Sequence, residues 1–183
     1  MANERLDHEG TGLDNNRQGS RFNKSEVKEK FKQRLVQMKD SYLKTADDAS
    51  FMAREADGPM QSRYDTTKTE QAWLANALGG MGENVDRILS DWDTTFPSEI
   101  SDKARLGALV FLEDLEYGDR YWFYMMPLAG GMTIEIEGES IRGLSVESIL
   151  GKNLLGKEKG QKIEYRAHEG DEEPQRFKIL DVL

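Results

Sequence analysis

The side chains that carry covalent or metal chemistry occur here in few workable combinations. The 183 residues include no cysteine. That excludes disulfides, thiolate zinc sites, iron–sulfur clusters and Cys nucleophiles. The two histidines, His8 and His168, leave little for a His-based metal site or a triad. His168 precedes the acidic stretch Glu169-Gly170-Asp171-Glu172-Glu173 and reads as exposed. Ser145 and Ser148 lack an evident histidine base, so nucleophilic catalysis has no support. Asp47 and Asp48 are adjacent, and neighbours on a helix point to different faces, so they read as solvated charges. Asp57-Gly58-Pro59 reads as a turn that the aspartate caps. Tyr121-Trp122-Phe123-Tyr124 would place aromatics on both faces of a strand, which suits packing in a core and against a helix.

Composition narrows the classes further. Hydrophobic residues make up 37% and charged residues 32%, with a net charge of −9 and a pI near 4.9. A large basic face for duplex nucleic acid is therefore not expected. No run approaches the roughly 18 to 20 apolar residues of a membrane helix, and Met1–Ser20 carries no apolar signal-peptide core. The expectation is a soluble, cytoplasmic monomer without membrane contact. Residues 1–23 hold almost no large apolar side chain, with four acids against three bases. Such a segment cannot offset its ordering entropy, so a disordered polar tail is expected.

The elements that must position the remaining candidates are legible from spacing. Phe31, Leu35, Met38, Tyr42, Thr45, Ala49 and Met52 follow a 4,3 alternation, and glycine and proline are absent from Lys24 to Asp57. This predicts one long helix with a heptad seam. From Lys24 to Ala56 it would span about 48 Å at about 1.5 Å per residue. After the turn, Leu74, Leu78, Met81, Val85, Ile88 and Trp92 repeat the alternation. Two such stripes around one turn predict an antiparallel helical hairpin over 24–95, a rigid prong that must project into solvent or a partner. Gly79, Gly80 and Gly82 fall between the predicted seam positions and read as a tolerated weak spot or kink, or else as a hinge or close-packing site. Lys24, Lys28, Lys30, Lys32, Arg34 and Lys39 give the first turns a positive bias, either a solvated face or a contact for RNA or an acidic partner. Beyond Phe96-Pro97 the period shifts toward two. Strands are predicted over Ala104–Leu112, Tyr121–Pro127, Met132–Glu137, Gln161–Arg166 and Arg176–Val182. Ser148–Leu155 is predicted as a short helix, capped by Ser148 and stopped by Gly156. The fold class is α+β, with a mainly antiparallel sheet domain over 96–183.

The run from Leu144 to Tyr165 resembles the C-terminal signature of the bacterial Gre transcript-cleavage factors, GreA and GreB. Ser148 matches the serine that opens the family's short helix, Leu155-Gly156-Lys157 its apolar-Gly-Lys turn, and Gly160 its following glycine. Arg105–Val110 resembles the family's first sheet strand and Phe177–Val182 its last. Ala53-Arg54-Glu55, Tyr64, Lys68, Gln71 and Trp73-Leu74 resemble the segment around the tip of the family's coiled coil. The resemblance covers about residues 24–183.

It implies a coiled-coil hairpin joined to an FKBP-like C-terminal domain. That domain would dock at the rim of the secondary channel of RNA polymerase, on a large subunit, through Ser148, Ile149, Leu150, Gly151 and Lys152. The hairpin would enter the channel, with indirect contact to nascent RNA. Acidic residues at its tip, here Asp57 and Glu55, would help hold a Mg²⁺ at the polymerase's own active site. The factor would have no intrinsic metal, no catalytic residues of its own and no free-standing enzyme activity.

The sequence departs from the family at two points. In the register set by Tyr64, Met60 stands where the family has the second tip acid, and a thioether is a poor Mg²⁺ ligand. Glu55 and Asp65 lie nearby. The docking pair is Ser148-Ile149, without the family's proline. Two versions of the function follow: modulation with cleavage of backtracked transcript, or channel occupancy without it. The rivals are an interaction scaffold for a non-polymerase protein and, from the aromatic strand, an FKBP-like proline-isomerase pocket.

Overall fold

The computed structural model describes residues 22–55, 66–97, 99–128, 131–166 and 174–183. The two hairpin helices are α1, Lys24–Glu55, and α2, Thr67–Ser90, and they pack against each other along their length. Asn23 starts α1. Its side-chain oxygen accepts from the Ser25 amide at 3.0 Å, and its carbonyl accepts from Glu26 and Val27. A single residue, Asp91, separates α2 from the short α3, Trp92–Thr95.

The seam departs from the heptad reading. The inward positions of α1 are Val27, Phe31, Leu35, Met38, Tyr42, Ala46, Ala49 and Ala53. Their spacing is 4,4,3, an 11-residue repeat of about 3.67 per turn. That period lies closer to the natural 3.6 than a heptad's 3.5, so the stripe stays inward with little supercoiling. Thr45 and Met52, predicted seam members, are exposed. On α2 the inward positions include Gly82 and Val85, while Met81 is 51% exposed. Gly82 thus occupies the seam rather than falling between seam positions. A Cβ built on it would lie 3.0 Å from Leu43 Cδ2, so the glycine permits close approach of the helices. Gly79 and Gly80 have nothing within 4 Å of such a Cβ.

Six strands form one sheet in the order β3-β4-β2-β1-β6-β5. They are β1 Leu109–Asp114, β2 Arg120–Met126, β3 Thr133–Ile136, β4 Glu139–Ser145, β5 Lys162–Tyr165 and β6 Gln175–Val182. All pairings are antiparallel except β2 with β4. Sequence reading missed β4. Its start is a two-residue hairpin loop in which Glu137 and Gly138 have φ of 51° and 79°, the conformation of a tight β-hairpin. Glu-Gly is a weaker signal for that loop than Asn-Gly. β1 begins at Leu109 rather than Ala104, because Gly107 at φ 78° turns the chain and packs on the Phe96 backbone.

Alternation along the strands gives the sheet two apolar faces. One takes the base of the hairpin: Val27, Phe31, Leu35, Val85, Trp92 and Phe96 pack with Leu109, Trp122, Tyr124, Met126 and Ile141. Phe31 stacks on Tyr124 with centroids 5.0 Å apart, and Trp122 stacks on Phe111 at 4.3 Å. The other face takes the short α4, Ile149–Leu154, through Leu154 and Leu150 against Met125, Leu144, Ile163, Phe177 and Ile179. The aromatic run of β2 therefore serves both faces, as its alternation predicts. Phe22, assigned to the polar tail by sequence, is buried with its ring edge-on to Trp122 at 5.1 Å. The remainder of that tail, 1–21, lies outside the described residues. No helix among the described residues is long and apolar enough to cross a membrane.

Candidate functional site

The predicted docking segment folds as a corner between β4 and α4. Ser148 is extended, with φ −67° and ψ 160°, and its Oγ accepts from the Gly151 amide at 3.0 Å. This satisfies one of the amides that a helix start leaves open. The same hydroxyl donates to the Ser145 carbonyl at 2.6 Å, while Ser145 Oγ donates to the Pro127 carbonyl at 3.1 Å. Gly151 is buried, and a Cβ there would fall 2.1 Å from the Ser145 oxygen. Only glycine lets α4 start this close to the end of β4. Sequence reading placed Gly151 in the docking segment without seeing this role, because the close approach is made across a turn.

The corner turns a mixed surface outward. Ile149 and Leu155 are exposed apolar side chains, and Lys152 pairs with Glu147 at 3.2 Å on the surface. Leu150 is half-buried and forms part of the wall of an adjacent groove of about 570 Å³. Tyr121, Phe123, Tyr165 and Phe177 also line that groove. The Arg142 guanidinium lies 4.7 Å over the Tyr121 ring, a cation–π contact. The groove's chemistry is that of recognition: aromatic faces, a guanidinium and the carboxylates of Asp114 and Glu116.

The second candidate is the prong. Its base is tied down by Lys28 to Asp93 and Lys39 to Asp86, each at 2.8 Å. Lys28 holds the Asp93 carboxyl below its usual range, mainly by hydrogen bonding, and Asp86 raises Lys39 in the same way. Lys30 donates to the Glu135 carbonyl at 3.0 Å, and Lys24 to the Glu99 carbonyl at 2.6 Å. Much of the basic cluster thus stitches α1 to α2 and to the sheet. Tipward of Tyr42 the buried side chains of α1 are alanines, on a helix that packs along α2. Glu55 is exposed at the last residue of α1. Asp57, Met60, Tyr64 and Asp65 lie outside the described residues, as does His168. Among the described residues no three Asp, Glu or His side chains cluster closely enough to hold a metal ion.

No family model matches the chain. It is 28% identical to the transcription elongation factor GreA of Thermotoga petrophila, and equally to that of Thermotoga maritima. In each case the match runs over 156 residues, 85% of this chain and 92% of the relative. Among solved structures, Gfh1 of Thermus thermophilus, a GreA factor homologue, aligns over 83% of this chain and 94% of its own at 17% identity, with a TM-score of 0.33. Gfh1 of Thermus aquaticus aligns over 82% and 92%, also at 17% identity, with a TM-score of 0.34. The sequence match spans the helical hairpin and the sheet together, so over most of its length the chain is similar to the GreA transcription elongation factors.

Proposed function

We propose that this chain binds RNA polymerase through the α4 corner and places its helical prong in the secondary channel, where it modulates elongation. The observation that carries the reading is the division of labour across the sheet. One face clamps the base of a 32-residue helix, and the other carries a corner whose exposed Ile149, Leu155 and Lys152 are free of that clamp. Such a body can be held by a partner at the corner while the prong reaches elsewhere. At about 1.5 Å per residue α1 is about 48 Å long, and the buried side chains of its last third, Ala46, Ala49 and Ala53, are all small. The GreA relatives supply the partner class, since elongation factors work on the transcribing polymerase.

The factor acts through the polymerase's own chemistry. A Mg²⁺ shared there would need oxygen ligands from the tip. Asp57 is the one acid at a matching tip position, with Met60 at the other, and exposed Glu55 stands at the end of α1. That donor set does not make a metal site of its own, and Mg²⁺ would remain the polymerase's. Loss of the second acid favours channel occupancy over strong cleavage stimulation. Backtracked elongation complexes incubated with the wild type and with Asp57→Ala separate the versions. Added cleavage that Asp57→Ala abolishes supports stimulation. Slowed elongation without added cleavage, unchanged by Asp57→Ala, supports occupancy. If polymerase neither binds the chain nor changes its elongation, both versions fail and the scaffold reading stands.

A further inference from the structure

Gly79 and Gly80 lie on open faces of α2, where a Cβ would meet nothing within 4 Å. No packing requirement explains them, and each weakens a helix relative to alanine. They stand just tipward of the one glycine of α2 that packing does require, Gly82 against Leu43. On α1 the corresponding step tipward of Leu43 reaches Thr45, whose Oγ1 donates to the Ser41 carbonyl at 2.9 Å. A hydroxyl bonded back to the carbonyl four residues earlier loosens and bends helices. Both helices are thus weakened at one level of the hairpin.

The packing changes at the same level. Toward the base the seam holds Val27, Phe31 and Leu35 against Val85 and Trp92, all essentially buried. Toward the tip α1 offers only Ala46, Ala49 and Ala53. Small side chains bury little apolar area, and segments with little buried area open first. We propose that the prong is jointed at this level: its tipward part reorients as a unit on a fixed base, with Gly79, Gly80 and Thr45 as the joint. The inference concerns the free chain and does not depend on the partner.

The absence of native cysteine allows site-specific spin labels. Pulsed electron–electron distances are measured from a label at Lys157 on the sheet domain to one at Asp40, below the joint, or at Asp48, beyond it. The full-length chain is used, with and without Gly79→Ala/Gly80→Ala. The joint predicts a narrow distribution for Asp40 and a broad one for Asp48 that narrows in the double alanine variant. Amide exchange of residues 46–55 should also slow about fivefold per substitution. Equal widths for Asp40 and Asp48 would overturn the proposal. So would a broad Asp48 distribution that the alanines leave unchanged.

Discussion

Lys24 shows how a single residue can report on the hairpin base. It is buried beside Arg105 and Lys28, with its ammonium on the Glu99 carbonyl. Desolvation, helped by the Arg105 charge, lowers its pKa from 10.5 to about 8. Between pH 8 and 10.5 the unfolded chain therefore holds more protons at this site than the folded one. Stability contributed by Lys24 rises with pH across that window and is flat below it. Lys24→Met should remove this slope, so the stability difference between variant and wild type shrinks from pH 8 to 10.5 in urea titrations. A constant difference would show that the lysine is not desolvated. At the corner, Ser148→Ala should cost about 1 kcal/mol of stability through the lost helix cap. Gly151→Ala should cost more, because its Cβ would collide with the Ser145 carbonyl. Thermal unfolding of the two variants gives the order. Ser148 was legible in the sequence as a cap. Gly151 was not, because its constraint comes from a strand end that no local pattern reveals.

At the scale of elements, the hairpin base carries the coupling between helices and sheet. Phe31 is fully buried and stacked on Tyr124, so Phe31→Ala should destabilise by about 3–5 kcal/mol. Met52→Ala, on the exposed face near the tip, should change stability by less than about 0.5 kcal/mol. Chemical denaturation of the two variants checks the contrast, and similar costs would mean that the tipward half is packed as firmly as the base. The glycines should rank as well: Gly79→Ala and Gly80→Ala stabilise by up to about 1 kcal/mol each, while Gly82→Ala gains less because Leu43 must move aside. Both helices, five of the six strands and α4 were readable from periodicity and from turn residues. The register of the seam was not. Heptad and 11-residue spacings share most positions, and only packing decides whether Thr45 or Ala46 faces inward. β4 was missed because its polar, glycine-containing sequence gains strand character from pairing with β2 and β3, not from its own pattern.

On the scale of the whole molecule, the sheet works as a two-sided mount. The alternation of Trp122 and Tyr124 with Tyr121 and Phe123 gives one strand to both faces, so the prong and the α4 corner are held by alternate residues of the same strand, β2. Disturbing either face should be felt at the other. The tip itself, from Ala56 to Asp65, was read from sequence alone.

The most direct test of the central claim places a photo-crosslinking amino acid at Trp73, an exposed position on the tipward part of α2, in a chain mixed with purified bacterial RNA polymerase. The account predicts adducts with the large polymerase subunits, lost when an excess of GreA competes and weakened by Ile149→Asp at the corner. Formation of a stable complex without any adduct from position 73, or adducts indifferent to GreA and to Ile149→Asp, would contradict delivery of the prong into the channel.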